Sequence, residues 1–300
     1  MKRAISISLG SAKRDKVVEL TLGDKPIVLE RIGTDGDEKK AQALLTLYDG
    51  QVDALGVGGV ELYIRLGEKE IPLRSGLNLV KNVHRTPVVD GRGIKHTIER
   101  QVMQIITPQL KNPLSNKKAM MPLAVDRYGL AQSLEQADYE VVYCDLMFGI
   151  GVPIPIYGLK NLYRTGRILA PILANLPISM LYPTGESQEV TEPRFEKWFK
   201  YGAVIAGDFL YIRRNLPADL NGQMIVTNTT TLADVTLLRE RGLRYLVTTT
   251  PIFAGRSFGT NMLEAALTAY AGLGRVLTQA EIQSLVTDLN IKPTIQVLNN

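Results

Sequence analysis

Short apolar runs rich in Val, Ile and Thr alternate along this chain with segments whose apolar positions recur every three or four residues. The first pattern predicts strands and the second predicts helices. RAISISLGS and KVVELTLG open the chain as two strands that read as a hairpin, and PIVLERIGTDGD follows. EKKAQALLTLY is a helix with Asp37 as its N-cap. VDALGVGG ends an apolar run in Gly56, Gly58 and Gly59, and ELYIRLGEKEIPL reads as a second hairpin about Gly67. TPVVDG is a short strand that feeds one helix, GIKHTIERQVMQII, with Ile94, Ile98, Val102 and Ile105 as its core stripe.

Periodicity stops at TPQLKNPLSNKK, where proline, asparagine and serine cluster. The expected division is therefore an α/β domain with hairpins over 1–110 and a second domain over 118–300. In the latter, AMMPLAV, YEVVYCDL, ISMLYP, AVIAGDFLYI, QMIVTNTTT and RYLVTTTP are six candidate strands separated by helical segments. That alternation predicts a doubly wound, Rossmann-like parallel sheet. A last helix carries a capping box of Thr278 and Glu281.

Composition narrows the function classes. Hydrophobic residues are 45% and charged residues 22% of the chain, as in an ordinary folded protein. Cys144 is the only cysteine, so no intrachain disulfide forms and no thiolate metal centre is expected; the reading is cytoplasmic. No apolar run is long enough for a spanning helix, although LYRTGRILAPILANL is amphipathic and basic and suits a membrane surface as well as a domain face. The stretch from Lys81 to Lys118 holds eight lysines and arginines against two acids, more than the whole net charge of +5. It has no aromatic residue for base stacking, which argues against nucleic acid and leaves a small anionic metabolite or a solvated face. Homo-oligomerisation stays open.

Loops that follow parallel strands are where ligands bind, so candidate chemistry is sought there. In IFAGRSFGTN, Gly255 and Gly259 allow close backbone approach, Arg256 supplies a positive charge and Asn261 a cap. The loop suits a carboxylate or phosphate, or is a plain turn. Thr227, Asn228 and Thr229 cluster at another strand end, as ligand groups or helix caps. Asp145 ends the second strand of a crossover, where a dinucleotide fold holds a ribose, yet the preceding loop, from Val125 to Gly129, has one glycine instead of three and carries Asp126. Lys95 beside Asp90 is the simplest proton-transfer pair, with Arg92 near; Lys95 and Glu99 also fit an ordinary helix pair. Asp35 and Asp37 fit a divalent ion or a turn and helix start.

ISISLGSAKRD, RIGTDGD, DALGVGG, RTPVVDGRGIKHT and the region from IVTNTTT to GTNMLEAAL resemble a bacterial family labelled quinate 5-dehydrogenase, along nearly the whole chain. Gly259-Thr260-Asn261-Met262-Leu263 is also similar to the C-terminal substrate segment of shikimate and quinate dehydrogenases, but Ala266 stands where that family has glutamine. The resemblance implies an oxidoreductase acting on a small anionic metabolite with NAD or NADP. Lys95 would be the acid/base group oriented by Asp90. Arg92, Arg256, Gly259 and Asn261 would bind substrate, and Asp145, Thr227, Asn228 and Thr229 the cofactor. The alternative is a non-enzymatic metabolite-binding or regulatory protein that keeps the ligand site without the chemistry.

Overall fold

The computed structural model describes residues 1–67, 69–178, 192–220, 222–253 and 256–300, with backbone only at Phe253 and Arg256. Two compact units emerge, and neither is a continuous stretch of chain. The first comprises Met1–Ile94, Ile168–Gln188 and Gly259–Asn290; the second comprises Lys95–Arg167, Glu189–Phe258 and Ile291–Asn300. The linker expected to divide the chain at 110–118 lies inside the second unit, and the chain changes unit at 94/95 instead.

In the first unit, strands β1 (Lys2–Ser8), β2 (Lys16–Leu22), β3 (Lys25–Gly33), β4 (Ala54–Gly58) and β7 (Val88–Val89) form one sheet in the order β2-β3-β1-β4-β7. β5 (Tyr63–Leu66) and β6 (Lys69–Pro72) form a separate hairpin, as expected. The hairpin expected between the first two strands does not form. β1 pairs in parallel with β3 and β4, and β2 pairs antiparallel with β3. Burial explains this: β1 is buried at five consecutive positions and needs a neighbour on each edge, whereas β2 alternates between covered and exposed and suits a sheet edge. Ile5, Ile7, Leu55 and Val57 pack with Leu45 and Leu79 as the core of this unit.

The second unit has β8 (Lys118–Met121), β9 (Glu140–Tyr143), β10 (Ile156–Tyr157), β11 (Val204–Ala206), β12 (Met224–Thr227) and β13 (Tyr245–Thr248). A small hairpin, β14 (Ile252–Phe253) with β15 (Arg256–Ser257), and the strand β16 (Thr294–Val297) complete it. The large sheet has the order β10-β9-β8-β11-β12-β13-β16, parallel throughout except at its two edge strands. Counted along the chain, the five parallel strands run 2-1-3-4-5, with the order reversing between β8 and β11. A dinucleotide-binding sheet runs 3-2-1-4-5-6.

Local signals account for the remaining differences. The expected strand AVIAGDFLYI stops at Ala206, because Asp208 accepts a hydrogen bond from the Leu210 amide and starts the helix Phe209–Arg214. The expected helix at 93–106 is two helices, Arg92–Lys95 and Ile98–Ile106, and Met103 and Ile106 replace Ile105 in its buried face. Asp37 and the Thr278–Glu281 box cap their helices as expected. ISMLYP lies outside the described residues from Ser179 onward. No described helix is long and apolar enough to cross a membrane.

Candidate functional site

In an open parallel sheet, ligands bind beyond the carboxyl ends of the strands where the order reverses. In the second unit that point lies between β8 and β11, and the loops that follow them carry Asp126, Arg127 and Asp208. Arg127 is only 2% exposed, and its guanidinium donates to Glu99, which is fully buried, and to Asp208 Oδ2 at 2.7 Å. Glu99 Oε1 also accepts from Thr249 Oγ1 at 3.2 Å, and Asn228 Nδ2 donates to Asp208 Oδ2 at 2.9 Å. The buried Lys95 ammonium stands 3.9 Å from Asp126 Oδ2. Lys95 and Glu99, a helical pair by spacing, thus reach different partners across the unit.

Burial sets the protonation of this cluster. It pushes Glu99 above the ordinary carboxylate range, against the pull of Arg127 and Lys95, and it raises Asp126 despite Lys95. At Asp208 burial is the largest influence and pushes the same way, but Arg127, the Leu210 amide and Lys95 together outweigh it, so that carboxylate titrates below its usual value. Four buried side-chain atoms around the cluster have no partner: Glu99 Oε2, Asp126 Oδ1, Arg127 Nε and Asp145 Oδ2. Unpartnered buried polar atoms are costly, which marks the place as one that gains from a bound polar group.

The groups expected to hold a cofactor are turned to structural work. Asp145 Oδ1 accepts from the amides of Ala124 and Val125, each at 2.9 Å, and burial pushes its carboxyl up to about 7. It therefore occupies the loop amides that a phosphate would need. Thr227 Oγ1 donates to the Gly207 carbonyl at 2.8 Å, Asn228 steadies Asp208, and Thr229 is half-buried beside them. Gly129, the one glycine of the loop, serves packing: a Cβ there would lie 2.3 Å from the Lys95 carbonyl oxygen. Gly129→Ala is expected to lower stability by about 1–3 kcal/mol in urea unfolding. Unchanged stability would show that its helix has room to shift.

In the first unit, Asp90 accepts from the Leu62 amide at 2.9 Å and the Arg92 amide at 3.1 Å and so shapes the turn before the helix Arg92–Lys95. Asp90 and Lys95 are assigned to different units. The Arg92 guanidinium lies over the Tyr63 ring at 4.4 Å, with Nε 3.5 Å from Glu70. Beside them is Glu264, buried in the helix Thr260–Ala271, which accepts from the Gly93 amide at 2.9 Å. Burial first, then the Asp90 charge, pushes its carboxyl up to about 8. Asn261, from the first turn of that helix, donates to Ser6 Oγ at 2.6 Å, and Gly56 and Gly58 leave the room it occupies against β1 and β4. The GVGG run is thus a seat for a helix. Asp35 accepts from the Ala12 amide and Asp37 caps a helix, the turn-and-start reading of GTDGD. No group of three or more His, Cys, Asp or Glu that could hold a metal occurs among the described residues.

IFAGRSFGTN divides between the two units. Its first part stays in the second unit, where the Phe258 carbonyl accepts from Thr250 Oγ1 and Ser257 Oγ accepts from the Thr230 amide, while Gly259 and Asn261 begin the helix of the first unit. Gly255 and the Arg256 side chain lie outside the described residues. Sequence reasoning read Glu99 only as a helix-pair partner of Lys95 and passed over Arg127, Asp208 and Glu264 as site residues. Their one visible signal is a charge within an apolar helix face or at a strand end.

Among solved structures, the chain is similar to a galactofuranose binding protein at 12% identity and a TM-score of 0.37, covering 98% of this chain and 94% of that one. It is similar to a periplasmic ribose ABC transporter from Conexibacter woesei at 11% identity and a TM-score of 0.35, covering 95% and 94%. A protein from Mycobacterium smegmatis in complex with beta-D-fucofuranose aligns at 10% identity and a TM-score of 0.33, covering 97% and 95%. No curated protein matches. The first of these structures is described as a binding protein and the second as a transporter, and the site's own residues correct the dehydrogenase reading. The strand order differs from that of a dinucleotide fold, the loop after β8 lacks its glycines, and Asp145 fills the loop amides. The loop after β8 therefore lacks the glycine-rich form of a dinucleotide-binding loop, and the oxidoreductase, quinate and shikimate expectations are corrected. Residues 3–90 match the family described as Domain of unknown function (DUF8753), and residues 93–298, more than half of the chain, match that described as Domain of unknown function (DUF8754). This chain belongs to the DUF8754 family.

Proposed function

We propose that this chain is a non-enzymatic binding or regulatory protein for a small polar metabolite, which seats at the carboxyl ends of β8 and β11. The second unit reads as a Rossmann-like sheet that keeps the ligand-binding reversal point and has lost the phosphate loop. The observation that carries this is the set of four unpartnered buried polar atoms on Glu99, Asp126, Arg127 and Asp145 around paired charges. Lys95 and Arg127, the cations that would meet an anion, already face carboxylates. Three unpartnered acceptors against one donor favour a ligand rich in hydroxyl groups over a carboxylate or phosphate.

Thermal melting against neutral polyhydroxylated metabolites, their carboxylate counterparts and both nicotinamide nucleotides tests this reading. A neutral polyol is expected to raise the melting temperature without turnover. At a hundredfold excess over Kd the gain is about 2.7 kcal/mol. Turnover of a quinate-type substrate with either nucleotide, or no shift across the whole panel, would sink the reading.

A further inference from the structure

From Leu146 to Gly185 the sequence has no acidic residue, while Lys160, Arg164 and Arg167 fall within it. All three cations are exposed, and all lie on one helix, Leu159–Leu173. Exposed apolar side chains crowd the same stretch. Ile150, Ile154 and Tyr157 precede the helix and Ile168 and Ile172 lie on it, five of the twelve large exposed hydrophobics among the described residues. Arg164, Ile168, Pro171 and Ile172 follow helical spacing and are exposed together, so cation and isoleucines share one face. Leu162, Gly166 and Ala170 form the buried face, which shows that the exposed side is not the one the fold uses. The helix start is secured within the second unit, where the Leu159 amide donates to Glu135 Oε1 at 2.9 Å.

An isolated exposed isoleucine needs no explanation, but four of them with a tyrosine within one acid-free basic stretch do. Cations beside protruding aliphatic and tyrosyl side chains suit the headgroup layer of an anionic bilayer, where the charges meet lipid phosphates and carboxylates and the apolar tips reach the acyl boundary. A second copy of the same surface would bring like charges together, which disfavours self-association through this face. We propose that the exposed face of the helix Leu159–Leu173, with Lys160, Arg164, Arg167, Ile168 and Ile172, is a peripheral docking surface for a membrane rich in anionic lipid.

Co-sedimentation of the full chain with vesicles tests this, comparing phosphatidylcholine alone with phosphatidylcholine carrying about a third phosphatidylserine. Association with the anionic vesicles only is expected, weakening as salt rises. Arg164→Glu with Arg167→Glu should cut the association constant by more than tenfold, at roughly fivefold per cation removed. Ile168→Ser with Ile172→Ser should also weaken it, and both double variants should melt as the parent does because the four positions are exposed. No association, or equal association with both vesicles, overturns the proposal. So does lipid-free self-association that the isoleucine variant abolishes, since the face would then serve a second copy, and so does charge-dependent capture of an acidic protein without vesicle binding.

Discussion

Arg127→Met is expected to destabilise the second unit by roughly 3–5 kcal/mol, seen as a lower midpoint of urea unfolding with the slope unchanged. Arg127 is almost fully buried and its guanidinium neutralises Glu99 and Asp208. Without it, Glu99 must stay charged in a place with no solvent or take up a proton, and either outcome costs the fold. A second variant separates this charge effect from lost volume. Replacing the pair together, Arg127→Met with Glu99→Leu, should recover much of the loss, because apolar residues of similar size carry no desolvation penalty. A single variant as stable as the parent would mean that Glu99 is accommodated without its cation. The charged cluster would then not organise this end of the sheet.

Glu264 predicts a pH dependence that runs opposite to that of a salt-bridged acid. Its carboxyl titrates at about 8 in the folded protein against 4.5 for the free group, because burial and then Asp90 disfavour its charge. The folded state therefore holds this proton more tightly than the unfolded chain does. The stability this supplies is present in full below about 4.5 and is lost as pH rises through 8. The loss is on the order of several kcal/mol for a group this buried. Melting temperature should fall from pH 5 to pH 8.5 in the parent and fall much less in Glu264→Gln, which keeps a carbonyl oxygen for the Gly93 amide. Asp145, pushed up to about 7, leaves a smaller slope over the lower part of the same range. An identical slope in the variant would remove Glu264 as its source.

The positions of most strands were legible in the sequence because a run of Val, Ile and Ala reports local burial. Lys2–Ser8, Met224–Thr227 and Tyr245–Thr248 lie where apolar runs predict them. The caps at Asp37 and Thr278 were legible for the same reason, since a capping side chain reaches only two or three residues along its own chain. The candidate site was legible only in pieces. Lys95 and Asn228 were visible as polar groups near strand and helix ends, but the residues that join them were not. Arg127 meets Glu99 across 28 residues and Asp208 across 81, and no periodicity extends that far.

The chain by itself determined two things here: where the strands and helix starts fall, and that no glycine-rich phosphate loop follows β8. Only the tertiary structure decided which strands are neighbours, that the chain changes unit at 94/95 and 258/259, and so that Asp90 and Lys95 serve different units. The reason is one of range. Local propensity acts over a turn or two, whereas strand order and the burial of a charge depend on closing loops of many residues. In those closures the free energy of the whole packed unit, and not of any one segment, selects the partner.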